Sequence, residues 1–353
     1  MSEREISVSQ AVHETQRFIL STHQETLILG LNAASPTGMF ETMTGLHDEF
    51  GSDRVIETPA SEAACMGIAL GMASSGMRPI VIHQRFDFAI LAVDQLVNQV
   101  AKWHFMYGGK LRAPLVVRMI VGRGWGQGPQ HSQALHAWFA HVPGLRVVMS
   151  SFPQETRNNL YWSVLDDAPV VFIEHRWMHL VKGNVSSGPP TPEISSSIIR
   201  RVGSDVTLVS TSFMTVECLV AAKLLAGRGI EAEVVEIITV SPLDVGKVRD
   251  SVSKTGRLLV ADIGVAQFGV SSEVIFAVLE DGGVRLRAAP VRIGLPSVPT
   301  PTGPRASAAF YPTSITVANS VLEMIGASES SKFDEKRTDL ELDVPNTRFL
   351  GPY

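Results

Sequence analysis

Short apolar runs alternate with amphipathic stretches along the first half of the chain. Apolar runs bounded by turn formers are typical of buried strands, and apolar residues spaced three to four apart predict helices. The runs predict strands at Thr26–Gly30, Arg54–Glu57, Pro79–His83, Leu115–Ile120, Arg146–Met149 and Val170–Glu174. The intervening stretches predict helices at Ser9–Ser21, Glu62–Ser75, Phe88–Tyr107, Gln133–Phe139 and Gln154–Leu165. This alternation predicts an α/β fold with a mainly parallel sheet.

The pattern changes around residue 182 and then resumes. Residues 183–203 are rich in Gly, Pro and Ser and have no periodicity, which predicts a linker after a first domain over residues 1–182. The second domain, residues 204–326, has predicted strands at Val206–Ser210, Ala232–Ile237, Leu258–Asp262 and Val291–Ile293. Its predicted helices are Val216–Arg228, Asp244–Lys254, Val270–Leu279 and Ser314–Ile325. Residues 327–353 are read as a polar, mobile tail.

Composition narrows the class of protein. The 353 residues carry a net charge of −5 and no basic run, which argues against nucleic acid and anionic membranes as partners. No apolar run approaches the length of about 18 residues that a membrane span needs. The two cysteines, Cys65 and Cys218, are far apart, and the first residues lack the pattern of a secretory signal. We therefore expect a cytoplasmic protein without a disulfide framework.

Several common catalytic signatures are missing from the sequence. There is no His-Glu-x-x-His or Cys-x-x-Cys zinc pattern, and no Gly-x-Ser-x-Gly nucleophile elbow. The sequence therefore predicts no metal ligands in this chain and disfavours a serine hydrolase.

Glu62 opens a predicted helix that carries Gly or Ala at nearly every second position. Small residues at that density predict close packing against another element. An acid in the first turn of a helix is favoured by the helix dipole, which is the ordinary explanation for such a residue. The alternative is that Glu62 meets a buried ligand at the edge of this packed layer.

A glycine-rich loop, Gly122–Gln133, joins a predicted strand to a predicted helix. It lacks the Gly-Lys-Ser/Thr ending of a phosphate-binding loop, so a flexible surface connection is the plain interpretation. The other interpretation is that its glycines let the backbone approach a ligand and that His131 is presented for proton transfer or anion stabilisation. Phe88 follows another strand, where it either packs in the core or stacks on a ring. Ligands of parallel sheets bind at the carboxyl ends of strands, and Glu62, Phe88 and His131 all follow such ends.

Several blocks of sequence occur in a fixed order: Thr58–Glu62, Phe86–Phe88, Val93–Lys102, Gln130–Gln133 and Phe139–Val148, then Asp205–Val209, Ser241–Asp244, Lys254–Leu258 and Pro299–Pro301. In this order they closely resemble the β subunit of thiamine-diphosphate-dependent 2-oxo acid dehydrogenases, which belong to the transketolase-like superfamily. The resemblance implies a parallel-sheet pyrimidine-binding domain followed by a transketolase C-terminal-type α/β domain.

The resemblance also implies roles for individual residues. Glu62 matches the glutamate that hydrogen-bonds the aminopyrimidine ring of thiamine diphosphate, and Phe88 matches the aromatic residue that stacks on that ring. Gln84 and Ala60 match positions that line the same ring. His131 matches the histidine that faces the reacting centre and assists acyl transfer to a lipoyl group.

In the family, the cofactor is bound between subunits. The resemblance therefore implies an α subunit, usually in a heterotetramer, that supplies the Mg²⁺ and diphosphate site, and it leaves open a lipoyl acyltransferase core as a further partner. The implied substrate is a small 2-oxo acid. The chain departs from the family pattern at Gly30–Ser35, where an acidic pair is usual, and at Arg85, beside the aromatic pair.

Three functions follow from these observations. The first is the β subunit of a decarboxylating 2-oxo acid dehydrogenase. The second is the C-terminal half of a two-component transketolase-like enzyme that transfers ketol or acyl units in specialised metabolism, for which Arg85 and Arg123 are candidate phosphate-binding residues. The third is a scaffold that only binds an α-like protein, which would have no need of Glu62, Phe88 and His131.

Overall fold

A computed structural model describes residues 3–36, 39–123 and 127–334. Contacts divide the chain into two compact units. The first contains the residues up to Gly122 and His131–Ser195, and the second contains the chain from Ser196 onward together with the described part of Arg123–Gln130. The break between the units at Ser195 falls inside the predicted linker, and the domain limits given above stay a prediction. The second unit therefore includes a short piece of chain that interrupts the first.

The first unit is built from eight strands and seven α-helices in its described residues. Its strands are β1 (Glu3–Ser7), β2 (Thr26–Gly30), β3 (Val55–Glu57), β4 (Arg78–His83), β5 (Val116–Val121), β6 (Arg146–Val148), β7 (Val170–His175) and β8 (Lys182–Ser186). Its α-helices are α1 (Val8–Thr22), α2 (Leu46–Phe50), α3 (Glu62–Ser74), α4 (Phe86–Ala89), α5 (Trp103–Met106), α6 (His136–Ala140) and α7 (Pro153–Leu165).

Six of these strands form a parallel sheet in the order β6-β7-β5-β4-β2-β3. Every residue of β2, β5 and β7 is buried, because helices cover both faces of the sheet. Continuous apolar runs are what such two-sided burial requires. The parallel α/β architecture predicted from the sequence is confirmed. β1 and β8 pair separately as an antiparallel ribbon, which the irregular composition around residue 183 did not predict.

The helix α1 shows how local sequence sets an element of this unit. Ser7 and Gln10 form a reciprocal capping box, in which each side chain accepts a hydrogen bond from the other residue's backbone N–H. Its buried stripe, which includes Ala11 and Ile19, packs the helix against α7. The cap fixes where the helix begins, and the stripe fixes which face meets the core.

A buried ion-pair network connects β5 and β7 of the parallel sheet of this unit. The Arg118 guanidinium donates to both carboxylate oxygens of Glu174, at 2.6 and 2.9 Å, and to the side-chain oxygen of Gln16 at 2.6 Å. His179 Nε2 lies 2.9 Å from Glu174 Oε2. Burial by itself would raise the pKa of the Glu174 carboxyl, but Arg118 and then His179 outweigh it and lower that pKa from 4.5 to about 2.

This network makes stability depend on pH in a defined window. In the folded protein Glu174 stays ionised down to about pH 2, whereas in the unfolded chain it protonates near 4.5. The unfolded state thus binds more protons between these values, so the stabilisation is complete above pH 4.5 and is lost as pH falls towards 2. We expect Glu174→Gln to lower the free energy of unfolding by about 3–5 kcal/mol at neutral pH, because Arg118 loses its buried partner. The difference from wild type should shrink on acidification.

Urea unfolding curves measured at neutral pH and at successive acidic values would check this expectation. Glu49→Gln is the control, because Glu49 pairs with Arg17 on the surface and its loss should change stability far less. A Glu174→Gln difference that stays constant with pH would contradict the coupling to protonation.

The predicted helix Phe88–Tyr107 is not a regular α-helix. The structure instead has α4, a 3₁₀ turn at Ile90–Ala92, a π-helical segment at Gln95–Gln99, a second 3₁₀ turn at Val100–Lys102, and α5. Leu96 and Val100 are buried, whereas Leu91 is 67% exposed, so the apolar residues of this stretch do not form one continuous buried face. The hydrophobic spacing identified the helical character of this stretch but not its changes of pitch.

The second unit has six strands and five α-helices in its described residues. Its strands are β9 (Ser197–Arg201), β10 (Val206–Thr211), β11 (Ala232–Ile237), β12 (Thr239–Ser241), β13 (Leu258–Val265) and β14 (Val291–Leu295). Its α-helices are α8 (Met214–Ala226), α9 (Gly246–Thr255), α10 (Val270–Leu279), α11 (Pro304–Phe310) and α12 (Ser314–Met324).

A five-stranded sheet in the order β14-β13-β10-β11-β9 forms the centre of this unit. Its strands run parallel except β9, which pairs antiparallel with β11 at the edge. The central helix α8 is buried on nearly every side and packs on β10, β11 and α12. Cys218 lies in this helix; like Cys65 it is buried and free, and burial raises the pKa of its thiol.

The beginning of the predicted mobile tail is packed against the rest of the second unit. The backbone N–H of Phe333 donates to Asn319 Oδ1 at 2.8 Å, and Asn319 Nδ2 donates back to the Phe333 carbonyl at 3.0 Å. The Arg228 guanidinium lies 3.6 Å from the centre of the Phe333 ring. The start of the tail thus packs on α12 and on Arg228 just beyond α8, its mobility stays a prediction, and residues 335–353 lie outside the described part of the chain. Over the described residues, no helix combines the length and apolar character that crossing a bilayer requires.

Candidate cofactor cleft

A cleft of about 340 Å³, part of it open to solvent, lies at the carboxyl ends of β2, β3 and β4. Its lining combines backbone that follows these strands with a few side chains: Gly30, Leu31, Thr58, Pro59, Glu62, Cys65, Val81, Ile82, His83, Gln84 and Phe88. It is mostly apolar, with one carboxylate, one imidazole and one amide facing it. This is the composition expected of a small-molecule site at the ends of parallel strands.

Glu62 is the first residue of α3 and is half-buried at the cleft. Its position is set by the turn after β3, where the Thr58 N–H donates to the Gly30 carbonyl at 3.2 Å. Ser61 precedes the helix without capping it through its side chain. Within the described chain, the Glu62 carboxylate has no hydrogen-bonding or ion-pair partner, so it is available to a ligand.

The small residues of α3 are divided between two faces of the helix. The buried face combines larger residues such as Met66 with the small residues Ala69 and Ala73. Gly67 and Gly71 lie on the opposite, exposed face, and a Cβ added at either would meet nothing within 4 Å. Close packing against another element therefore stays a prediction for the two glycines.

Phe88 and His131 lie together at one side of the cleft. Their rings meet edge to face with centroids 5.6 Å apart, and both side chains are half-buried. His131 does not stand at the entry of a helix as predicted, because α6 begins only at His136. The segment between His131 and α6 is held by Asp87. The Asp87 Oδ1 accepts hydrogen bonds from the Gln133 backbone N–H at 3.3 Å and from the Gln133 side chain at 2.8 Å.

Gly122 fixes the approach to His131. A Cβ at Gly122 would lie 1.9 Å from the His131 carbonyl oxygen, which is an impossible distance. Only glycine lets the end of β5 and the His131 backbone come this close. The close approach seen here is between two backbone segments of the chain, and the predicted approach of the loop backbone to a ligand stays a prediction. Residues 124–126 of the loop lie outside the described chain.

The two other predicted lining residues differ in their positions. Gln84 lines the cleft, and its Nε2 donates to the Leu31 carbonyl at 3.1 Å. Ala60 is exposed in the bend before α3 and is not part of the cleft lining. The loop after β2, where the chain departs from the family pattern, is held by Glu57, whose carboxylate accepts from the N–H groups of Asn32 and Ala34 at 2.7 and 2.9 Å.

His83 is a cleft residue that sequence reasoning missed. It ends β4 and is 5% exposed, and its Nε2 has no hydrogen-bonding partner in the described chain. Burial lowers the pKa of the imidazole to about 4, so His83 is neutral at pH 7. The signal was available in the sequence, since His83 is the last residue of a predicted strand and directly precedes Gln84.

Among residues 3–36, 39–123 and 127–334, no group of three or more His, Cys, Asp or Glu side chains is arranged to hold a metal ion. The polar groups of the cleft are instead separated along its wall. The arrangement is suited to holding a flat heteroaromatic ring against Phe88 with one carboxyl group at its edge.

Comparisons with known families agree with this geometry. The family described as "Transketolase, pyrimidine binding domain" matches residues 4–179, and "Transketolase, C-terminal domain" matches residues 196–317. A solved structure titled "Split gene transketolase, inactive beta4 tetramer" superposes with a TM-score of 0.72 over 91% of this chain and 98% of that one, at 20% identity. At that identity the likeness concerns the fold. Together the matches define a protein of the thiamine-diphosphate-dependent, transketolase-like class.

Curated relatives narrow this class. The chain is 34% identical to the acetoin:2,6-dichlorophenolindophenol oxidoreductase subunit beta of Cupriavidus necator, covering 89% of this chain and 96% of the relative. It is 35% identical to the mitochondrial pyruvate dehydrogenase E1 component subunit beta of Dictyostelium discoideum, covering 84% and 85%. The chain therefore belongs to the family of β subunits of 2-oxo acid and acetoin dehydrogenases, and the resemblance stated from the sequence is confirmed.

Proposed function

We propose that this chain is the β subunit of a decarboxylating 2-oxo acid dehydrogenase component that passes an acyl group to a lipoyl acceptor. The observation that carries the proposal is the unpaired Glu62 carboxylate in the same apolar cleft as the Phe88 ring. These residues fit the aminopyrimidine of thiamine diphosphate, which needs an apolar slot, an aromatic face and one carboxyl at its edge. His83 adds a neutral imidazole whose buried Nε2 is free to hydrogen-bond within the slot.

In this proposal each residue of the cleft has one task. Glu62 holds a proton between its carboxyl oxygen and a ring nitrogen, Phe88 packs on the ring face, and Gln84 closes the wall beside it through its bond to Leu31. Thiamine diphosphate, when bound, supplies the electron sink that makes cleavage beside a carbonyl possible.

His131 is proposed to act at the acceptor. Its ring leans on the edge of Phe88, and its backbone is held against Gly122, so the imidazole has a defined position next to the cleft. A positioned imidazole can donate a proton to the sulfur that leaves as a thiolate when the S–S bond of an incoming dithiolane is broken. We infer a role in acyl transfer rather than in cofactor binding.

An α subunit is proposed to complete the cofactor site. The relatives named above are beta subunits, which implies a second kind of chain in those enzymes. We propose that an α partner supplies Mg²⁺ and the diphosphate site to this chain in a heterotetramer. A lipoyl acyltransferase core is the further partner that acyl transfer would require.

The test is to purify the chain alone and together with its α partner. The complex should release CO₂ from a 2-oxo acid and reduce 2,6-dichlorophenolindophenol, and both activities should require thiamine diphosphate and Mg²⁺. The chain alone should do neither. Ketol transfer between sugar phosphates without CO₂ release would instead support the transketolase-like alternative, and full activity of the chain alone would contradict the shared site.

A further inference from the structure

Two arginines and one phenylalanine form a cluster in the first unit that the proposed chemistry does not use. The Arg85 guanidinium carbon lies 5.2 Å from the centre of the Phe40 ring, and that of Arg176 lies 4.2 Å from it. Both distances are within the range of cation–π contacts. The cluster brings together residues that are 45 and 91 positions apart in the sequence, so no local pattern indicated it.

Neither guanidinium is neutralised within the described residues. No ion pair joins Arg85 or Arg176 to a carboxylate there, and Arg85 Nη1 is buried without a hydrogen-bonding partner. Asp87 contributes one nearby negative charge, and its Oδ2 is buried without a hydrogen-bonding partner in the described chain. Burial, and then the charge of Arg176, lower the pKa of Arg85. Two half-buried guanidinium groups thus face one carboxylate, which leaves an excess of positive charge that an anion would offset.

The backbone that carries the phenylalanine ring between the arginines is strained. Phe40 has φ 51° and ψ 41°, and the next residue, Glu41, has φ 65°, both in the left-handed region. For a bulky residue this conformation is a genuine outlier, and outliers of this kind cluster at ligand sites. His179, which is itself bonded to Glu174, packs against the same ring with centroids 5.9 Å apart. The buried network thus supports the ring that orients both arginines.

The cluster borders the candidate site. Arg85 Nη1 lies 3.4 Å from the position that a Cβ on Gly122 would occupy, and that same position touches the His131 carbonyl. The guanidinium is therefore next to the segment that carries the proposed acyl-transfer imidazole. Arg85 also directly follows Gln84 of the cleft wall.

We propose that Arg85, with Arg176 beside it, binds a second anionic group of the substrate, so that the preferred 2-oxo acid carries a carboxylate or a phosphoryl group at its far end. This inference rests on the proposed function and names the substrate class of that site. Guanidinium groups bind both anions through paired hydrogen bonds, which accounts for two neighbouring arginines that form no ion pair with any carboxylate of the described residues.

Comparing pairs of 2-oxo acids that differ in a terminal anionic group distinguishes this proposal from a packing role for the arginines. 2-Oxoglutarate and 2-oxopentanoate share a five-carbon chain and differ in the terminal carboxylate, and 3-phosphohydroxypyruvate differs from 3-hydroxypyruvate in the phosphoryl group. With the α-containing complex, we expect kcat/KM to favour at least one dianionic acid over its partner by about tenfold or more, since hydrogen bonds to charged groups contribute about 1.5–3 kcal/mol each. The acid that is favoured identifies the anionic group.

Arg85→Gln and Arg176→Gln should each reduce this preference, with Arg85→Gln removing most of it through KM, while turnover of 2-oxopentanoate stays within about threefold of wild type. Arg85→Lys should restore part of it. Arg112→Gln is the control, because Arg112 is an exposed arginine of the same unit whose partner is Asp167. Circular dichroism checks that each variant is folded.

Binding of glutarate and pentanoate, which cannot be decarboxylated, is measured by calorimetry on the same complex. Wild type should bind glutarate about tenfold more tightly than pentanoate, and Arg85→Gln should bind both alike. If no 2-oxo acid is turned over, the proposed function fails, and the glutarate comparison still decides the anion site. Equal binding of the two acids together with no preference for 3-phosphohydroxypyruvate over 3-hydroxypyruvate, or a preference that survives in both arginine variants, overturns the inference.

Discussion

Glu62→Gln should lower the rate of decarboxylation by about 100- to 10,000-fold while the chain still folds and assembles with its α partner. Glutamine keeps the size of the side chain and its ability to hydrogen-bond a ring nitrogen, but it cannot hold or pass on the proton. Because Glu62 has no partner within the described chain, the substitution breaks no internal contact. Activity with a 2-oxo acid and an artificial electron acceptor measures the effect, and calorimetric titration with thiamine diphosphate should show a much smaller change in affinity.

Glu273→Gln is the matched control for this substitution. Glu273 also lies in the first turn of a helix, α10, and its side chain is exposed, so both variants lose the same favourable interaction with a helix dipole. Only Glu62 lines the cleft. Equal losses in the two variants, or wild-type rates in Glu62→Gln, would remove the proton-holding role.

His131→Ala should affect acyl transfer to a lipoyl acceptor and reduction of an artificial electron acceptor to different extents. We expect acyl transfer to a lipoyl acceptor to fall by about 100-fold or more, and reduction of 2,6-dichlorophenolindophenol to change only a few-fold. The reason is that the His131 ring stands beside the cleft, in edge contact with Phe88, rather than among the residues that line it. Loss of that aromatic contact should lower the free energy of unfolding by only about 0.5–1.5 kcal/mol.

His141→Ala is the control, since His141 is an exposed histidine of the same unit. Rates with the two acceptors are measured on one preparation, so that differences in assembly cancel. An equal loss with both acceptors would indicate that His131 acts before the acyl group is transferred. An unchanged lipoyl rate would exclude it from the reaction.

Some elements of the fold could be read directly from the sequence. The bounds of β2, β11 and α10 were predicted to the residue, and most other strands to within one or two positions at either end. The strands could be recognised because a strand of a parallel sheet is buried on both faces and therefore appears in the sequence as a continuous apolar run. The edge strands β1, β8 and β9 were missed, because they are partly exposed and carry polar residues.

The site was predictable only where it follows the order of the sheet. Glu62, Gln84 and Phe88 could be brought together because β3 and β4 end at the same edge. Phe40 and Arg176 could not be connected to Arg85, since their meeting depends on a left-handed backbone at Phe40 and on packing from distant parts of the chain. The small residues of α3 predicted close packing, but their pattern did not indicate which of them would be buried.

The contact between Gly122 and the His131 carbonyl has a consequence for variation in the loop that connects them. A loop whose two ends already touch can be lengthened or recomposed at little entropic cost, because closing it does not depend on its interior. Lengthening the loop between Gly122 and His131 can therefore change what approaches the imidazole while the His131 backbone keeps its position.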